Sequence, residues 1–190
     1  LNHGDWPDVD WDKGKYSKFQ VCSNHEETVT GLADNGIKLM ACLVFWDPES
    51  PGQVEEEGYS RFKTEDEIQR YLDYVQFIVH HFKDRIEYYE ILNEPNIGQG
   101  TQQYVELDDY INLVKRIVPI IRQEYSEAKV VVGATAAFRE ENTKDYLFGI
   151  LQSDIMPLVD GVSFHPMYGT SPQYDTEEKV FEASKQYYYK

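Results

Sequence analysis

Short apolar segments alternate with longer amphipathic segments along this chain, which is the pattern of strands and helices that follow one another. The predicted strands are near-continuous apolar runs, as expected of strands buried on both faces of a sheet. They cover residues 37–46, 85–92, 129–136 and 159–164. The predicted helices cover residues 23–35, 64–83, 107–125, 142–152 and 177–188. Strands and helices in this alternation predict an α/β fold with a parallel sheet.

Three of the predicted helices carry local signals, two at their start and one inside the helix. Two helices begin with a capping-box pattern, in which a Ser or Thr is followed three residues later by a Glu. These pairs are Ser23 with Glu26 and Thr64 with Glu67. The helix over residues 107–125 contains Pro119, which removes a backbone hydrogen bond and predicts a bend there.

Length and charge limit the possible partners. The 190 residues predict one domain, and their net charge of −16 argues against nucleic acids and anionic membranes, which are bound through Lys and Arg. No apolar run reaches the roughly 18 residues that a membrane-spanning helix needs, and the N-terminus has no signal-peptide pattern. Cys22 and Cys42 are too few for a disulfide framework, and Cys42 is expected to be a packed thiol.

The strongest chemical signal follows the second predicted strand, in the triplet Asn93-Glu94-Pro95. Pro95 has no backbone N–H and disfavours helix at the preceding residue, so the strand should end here. Glu94 would then lie at the C-terminal edge of a strand, where α/β barrels carry their chemistry. The alternative is a strand-end carboxylate that caps a turn or pairs with a nearby Lys or Arg.

This triplet resembles the signature at the end of the fourth barrel strand in the clan A glycoside hydrolases. Residues 159–169 resemble the sixth barrel strand of that clan, and residues 6–19 with 35–40 are similar to its second and third strands. The closest likeness is to family 39 and its neighbours. The resemblance implies an incomplete (β/α)8 TIM barrel, in which residues 1–190 are a partial catalytic domain without the N-terminal unit and strands 7 and 8.

The resemblance also implies roles for individual residues. Glu94 corresponds to the general acid/base of a retaining glycosidase, and Asn93 to the residue that hydrogen-bonds the 2-hydroxyl of the sugar. Tyr168 would hydrogen-bond the nucleophile, and His165 would contact sugar hydroxyls. Trp46, at the end of a predicted strand, is a candidate for stacking on a sugar ring, and ordinary packing at the barrel top is an equal alternative.

The catalytic nucleophile that the resemblance implies is a Glu beyond Lys190, so the chain by itself is expected to be inactive. Glu49, Glu140, Glu141 and residues 55–57 lie in predicted polar loops, which makes them poor substitutes. The Arg that the clan carries on its second barrel strand is also absent from this chain.

Two other functions stay open at this stage. One is a barrel that binds carbohydrate without hydrolysing it, because the second carboxylate is missing. The other is an unrelated barrel enzyme in which Glu94 abstracts a proton. A carbohydrate is the expected partner of both the glycosidase and the carbohydrate-binding barrel, and no metal or organic cofactor is expected. The sugar, the linkage and the oligomeric state are undetermined, and a secreted or cell-surface location follows only from the resemblance.

Overall fold

The computed structural model describes residues 19–45, 47, 49, 59–98, 103–136 and 141–165. The strands in this part of the chain are β1 (Met40–Leu43), β2 (Tyr88–Ile91), β3 (Lys129–Thr135) and β4 (Gly161–Phe164). The α-helices are α1 (Ser23–Asp34), α2 (Glu65–Phe82), α3 (Leu107–Glu124) and α4 (Glu141–Gln152), and a short 3-10 helix covers Met156–Leu158.

The strands form one parallel sheet in the order β1-β2-β3-β4, so each strand lies beside the one that follows it in the chain. The register pairs Met40 with Tyr88, Tyr88 with Lys129, and Val131 with Gly161. Because crossovers between parallel strands are right-handed, a sheet that never reverses its order carries all its helices on one face. This is the arrangement of a (β/α)8 barrel, whereas a doubly wound sheet reverses its strand order.

The two faces of the sheet differ in composition. The outer face packs against α2 and α3 and is buried and largely apolar, with Ala41, Leu43, Tyr89, Ile91, Val130 and Val132 in the core. Tyr71 of α2 and Tyr110 of α3 each donate a hydrogen bond from their hydroxyl to a strand carbonyl, that of Leu43 (2.6 Å) and Ile91 (3.1 Å) respectively. The opposite face carries Cys42, Glu90 and Ser163, which interact with one another.

The start of α2 confirms the predicted capping box in part, because Thr64 is the N-cap and its side chain accepts a hydrogen bond from the Glu67 amide (3.3 Å). The side chain of Glu67 has another partner, since it accepts the Phe62 amide (2.7 Å) and pairs with buried Arg61 (3.3 Å). Glu67 therefore holds the end of the preceding loop against the helix.

The capping box predicted at Ser23 is wrong. Cys22 is the N-cap residue of α1 and makes no capping bond through its side chain, and Ser23 is already helical. The Glu26 carboxylate pairs with His81 in the last turn of α2 (2.6 Å) and with Arg85 just after that helix. The hydrogen bonds to His81 and Arg85 lower the pKa of Glu26, so this carboxylate serves a contact between helices.

The strands are shorter than the apolar runs that predicted them. Phe45 is buried, yet it follows the end of β1, because burial continues beyond the last hydrogen bond of the ladder. Pro119 lies inside α3, which continues to Glu124. The helix predicted over residues 177–188 lies outside the described residues. Among the helices that the structure describes, none has the length and apolar character needed to cross a membrane.

Candidate active site

Glu94 lies just beyond the C-terminal end of β2, where the backbone turns sharply. Leu92 and Glu94 both adopt the left-handed region, with φ of 63° and 48°, which is uncommon for residues with a side chain. The Glu94 amide donates a hydrogen bond to the carbonyl of Ala134 in β3 (2.8 Å), and Pro95 directly after it is buried. The backbone of Glu94 is thus attached to the neighbouring strand and not only to its own loop.

The carboxylate of Glu94 forms a hydrogen bond with His165, which directly follows β4. Its Oε1 lies 2.7 Å from Nδ1 of His165, and the two side chains are 19% and 29% exposed. The backbone of His165 is fixed as well, because its amide donates to the carbonyl of Thr135 at the end of β3 (2.9 Å). The Lys or Arg partner considered as the alternative for Glu94 is absent from the described residues, and a histidine takes that place.

The other predicted site residues have different outcomes. Asn93 is exposed beside Glu94, at the same strand end. Trp46 and Tyr168 lie outside the described residues. Asn96, which the sequence did not single out, accepts a hydrogen bond from the Ala136 amide through its Oδ1 (2.8 Å) and so attaches the loop after Glu94 to the end of β3.

An irregularity in β3 shapes this edge of the sheet. The register between β3 and β4 shifts between Val132 and Thr135, and Gly133 and Ala134 have positive φ values of 106° and 41°. The hydroxyl of Tyr110 accepts the Gly133 amide (2.9 Å) while it donates to the Ile91 carbonyl. A side chain therefore replaces the strand-to-strand hydrogen bond that the bulge interrupts.

A polar group lies on the inner face beneath Glu94. Glu90 is only 6% exposed, and its Oε1 accepts a hydrogen bond from the Ser163 hydroxyl (2.6 Å). Burial, and next the charge of Glu90, raises the pKa of Cys42 to about 12. The thiol therefore stays protonated at neutral pH, and it donates a long hydrogen bond to the Leu92 carbonyl (3.4 Å).

Sequence reasoning missed Glu90 and Ser163, although a signal was present. Side chains alternate between the two faces of a strand, so residues two apart along an extended strand, such as Ser163 and His165, are expected on one face. Two polar residues in apolar strands, each placed shortly before a candidate site residue, could have been predicted to lie below the site.

Other charged residues with a conceivable catalytic role have structural partners. His80 contacts Glu124 of α3 (2.8 Å) and His81 contacts Glu26 of α1, so these neighbouring histidines serve two different helix contacts. Glu49 is half exposed and lies 3.6 Å from Arg70. No group of three or more potential metal-binding side chains occurs in the described part of the chain.

Comparison with known proteins finds similarity to glycoside hydrolases. The model of glycosyl hydrolase family 1 matches residues 22–108. A family 39 glycoside hydrolase from the gut symbiont Bacteroides cellulosilyticus WH2 superposes with a TM-score of 0.61 and 18% identity, over 87% of this chain and 33% of that one. A search of curated proteins found no match.

Two xylanases of family 10 share the same fold. The enzyme from Thermobacillus composti superposes with a TM-score of 0.53 and 15% identity, over 93% of this chain and 54% of that one. A thermostable mutant of a xylanase from Cellvibrio japonicus gives a TM-score of 0.54 and 16% identity, over 93% of this chain and 55% of that one. The chain thus spans between a third and about half of the length of these structures.

These findings confirm the predicted resemblance to the clan A glycoside hydrolases. The sheet with its alternating helices is part of a (β/α)8 barrel, and the described residues form an incomplete one.

Proposed function

We propose that the protein containing this chain hydrolyses O-glycosidic bonds in a saccharide by the retaining mechanism, with Glu94 as general acid/base. The observation that carries the proposal is the environment of the Glu94 carboxylate. Glu94 lies at the C-terminal edge of a barrel sheet. Its backbone amide bonds to β3, and Oε1 of its carboxylate bonds to His165. Barrel enzymes carry their reactive groups at this edge.

In the retaining mechanism, one carboxyl protonates the leaving oxygen while a second carboxylate attacks the anomeric carbon and forms a glycosyl-enzyme intermediate. The first group then removes a proton from a water molecule, which attacks the same carbon and releases the sugar. The proton that Glu94 gives to the leaving group is thereby replaced by one from water. The nucleophile is the Glu expected beyond Lys190, about 5–5.5 Å from Glu94 in the complete barrel.

The two oxygens of the Glu94 carboxylate are suited to different tasks. His165 occupies Oε1, while Oε2 has no hydrogen-bond partner among the described residues. Oε2 is therefore the atom that we assign to proton transfer, and His165 would keep the carboxyl plane in a fixed orientation toward the substrate. Asn93, exposed next to Glu94, would contact the 2-hydroxyl of the sugar. By the resemblance, Trp46 would stack on a sugar ring and Tyr168 would hydrogen-bond the nucleophile.

The test is the Glu94→Gln variant of the full-length protein, assayed on aryl glycosides with poor and with activated leaving groups. We expect the hydrolysis rate to fall at least ~100-fold on a poor leaving group, because a general acid contributes about 10²–10⁴-fold. The loss should be smaller for an activated leaving group, which needs little protonation.

Glu87→Gln is the matched control, since Glu87 precedes the same strand at its opposite end and pairs with exposed Lys38 (3.0 Å). Its rates should equal those of the wild type. Unchanged hydrolysis in Glu94→Gln would remove Glu94 from the reaction. Binding of saccharides without any hydrolysis by the wild type would instead identify a carbohydrate-binding barrel.

A further inference from the structure

The starting observation is a buried carboxylate that the proposed reaction does not use. Glu90 lies in the middle of β2, and its residue is 6% exposed. Burying a carboxylate costs free energy even when it is hydrogen-bonded, and an apolar side chain of similar volume would stabilise the fold at least as well. A role other than stability is therefore expected for Glu90. Besides its interaction with Cys42, Glu90 accepts a hydrogen bond from the hydroxyl of Ser163, at 2.6 Å.

The Ser163 hydroxyl connects this carboxylate to the irregular part of β3. It donates its proton to Glu90 and accepts the amide of Ala134 at 2.9 Å. Because a hydroxyl has one proton, the Glu90 carboxylate fixes the direction of that proton and leaves the lone pairs for the amide. Ser163 thus holds Ala134 from the side of β4.

Ala134 is the residue whose carbonyl holds the backbone amide of Glu94. Its φ of 41° lies in the left-handed region, which is unfavourable for alanine, and its carbonyl accepts the Glu94 amide at 2.8 Å. A residue held in such a conformation relaxes when its restraint is removed. Relaxation at Ala134 would turn the carbonyl and displace the backbone of Glu94.

We propose that Glu90 and Ser163 are positioning residues for the proposed acid/base, acting through Ala134. They hold Ala134 in its left-handed conformation, and the Ala134 carbonyl then sets the place of Glu94 relative to the substrate. The inference rests on the proposed function for the role of Glu94, while the chain of hydrogen bonds from Glu90 through Ser163 and Ala134 to Glu94 stands on the structure.

The kinetic test uses Ser163→Ala and Glu90→Leu in the full-length protein, since leucine has no acceptor for the Ser163 hydroxyl. Both variants should lose about 10- to 100-fold in kcat/KM on a glycoside with a poor leaving group, because a misplacement of about 1 Å can cost that much. For an activated leaving group kcat/KM should fall less than about threefold, since kcat/KM reports the step in which the leaving group departs and such a group needs little protonation. Ser163→Thr, which keeps the hydroxyl, should recover most of the loss.

Tyr71→Phe is the control for general destabilisation. It removes another buried hydroxyl bond to a strand, from Tyr71 to the Leu43 carbonyl on the helix side of the sheet. This variant should lower the free energy of unfolding, but it should not lower kcat/KM more for the poor leaving group than for the activated one. If Ser163→Ala lowers kcat/KM equally for both leaving groups, or lowers it for neither, the positioning role is overturned although Glu94→Gln still supports the acid/base.

A structural measurement decides the inference separately from activity. In a crystal structure of Ser163→Ala, we expect Ala134 to leave the left-handed region and its bond to the Glu94 amide to break. An Ala134 that keeps its conformation, with the Glu94 amide still in place, would overturn the inference. If Glu94→Gln leaves hydrolysis unchanged while Ala134 moves as expected, the proposed function fails and the backbone restraint stands.

Discussion

Replacing Gly133 with alanine tests whether the β3 bulge is as tightly enclosed as the structure indicates. A Cβ atom at this position would lie 2.3 Å from the backbone oxygen of Ser163 and 3.3 Å from the Val162 side chain. The first distance is far inside van der Waals contact, and the atom involved belongs to the neighbouring strand. The strand cannot move away without breaking its pairing with β3.

Two costs combine in this variant. The φ of 106° is a conformation that side chains avoid, which costs about 1–3 kcal/mol. Forcing a methyl group into a packed region costs about 1–3 kcal/mol more. We therefore expect Gly133→Ala to lower the free energy of unfolding by about 2–6 kcal/mol, a large part of the 5–15 kcal/mol typical of a folded domain.

The assay is urea unfolding of the full-length protein, followed by circular dichroism, with two glycine controls. Gly36 has a φ of 74° but nothing within 4 Å, so Gly36→Ala carries only the conformational cost of about 1–2 kcal/mol. Gly31 lies in α1 with open space around it, so Gly31→Ala should stabilise by about 0.5–1 kcal/mol.

The order of the three variants is the decisive result. A Gly133→Ala variant that loses no more stability than Gly36→Ala would refute the close approach of β3 and β4 at the bulge. Ala134 would then not be held in its left-handed conformation by the packing of β4 against β3.

Two further predictions concern side chains that hydrogen-bond to the backbone of β3. Burial raises the pKa of Asp160, but the Val130 amide and Arg122 outweigh it and lower the pKa below 3.8. The stability that this carboxylate contributes is present above pH 3.8 and is lost as the pH falls through the lowered pKa. Asp160→Asn should therefore lower the free energy of unfolding by about 1–2 kcal/mol at pH 7 and by less at pH 3, which urea unfolding at the two pH values measures. Tyr110→Phe leaves a buried amide and a buried carbonyl without their partner, so thermal and urea unfolding should show a loss of about 2–4 kcal/mol, and a loss under 1 kcal/mol would contradict that role.

The sequence predicted the helices better than the strands. The apolar stripe and Thr64 placed the limits of α2 to within about a residue, because helix ends depend on local capping. The runs at 37–46 and 85–92 predicted strands that were too long, since an apolar run reports burial and not pairing. The box at Ser23 failed because Glu26 has stronger partners on another helix, which no local pattern could reveal.

For the candidate site, the sequence predicted the place of Glu94 but not its surroundings. Asn93-Glu94-Pro95 predicted a strand end near Glu94, and β2 ends at Ile91, shortly before this triplet. The contact between Glu94 and His165 joins residues far apart in the chain, so it required the register of the whole sheet. Ala134 gave no warning at all, because nothing in an alanine within an apolar strand distinguishes a left-handed backbone from an extended one.

The strictly sequential strand order has a consequence for how the protein is made. Each of β2, β3 and β4 pairs with the strand that the ribosome has produced just before it, so none of them has to wait for a later segment. The nascent chain can add one strand and one helix at a time to a growing sheet. Glu94 would be the exception, since it leaves the ribosome before the Ala134 carbonyl and His165 that hold it, and this edge of the sheet is completed only after β4 has been synthesised.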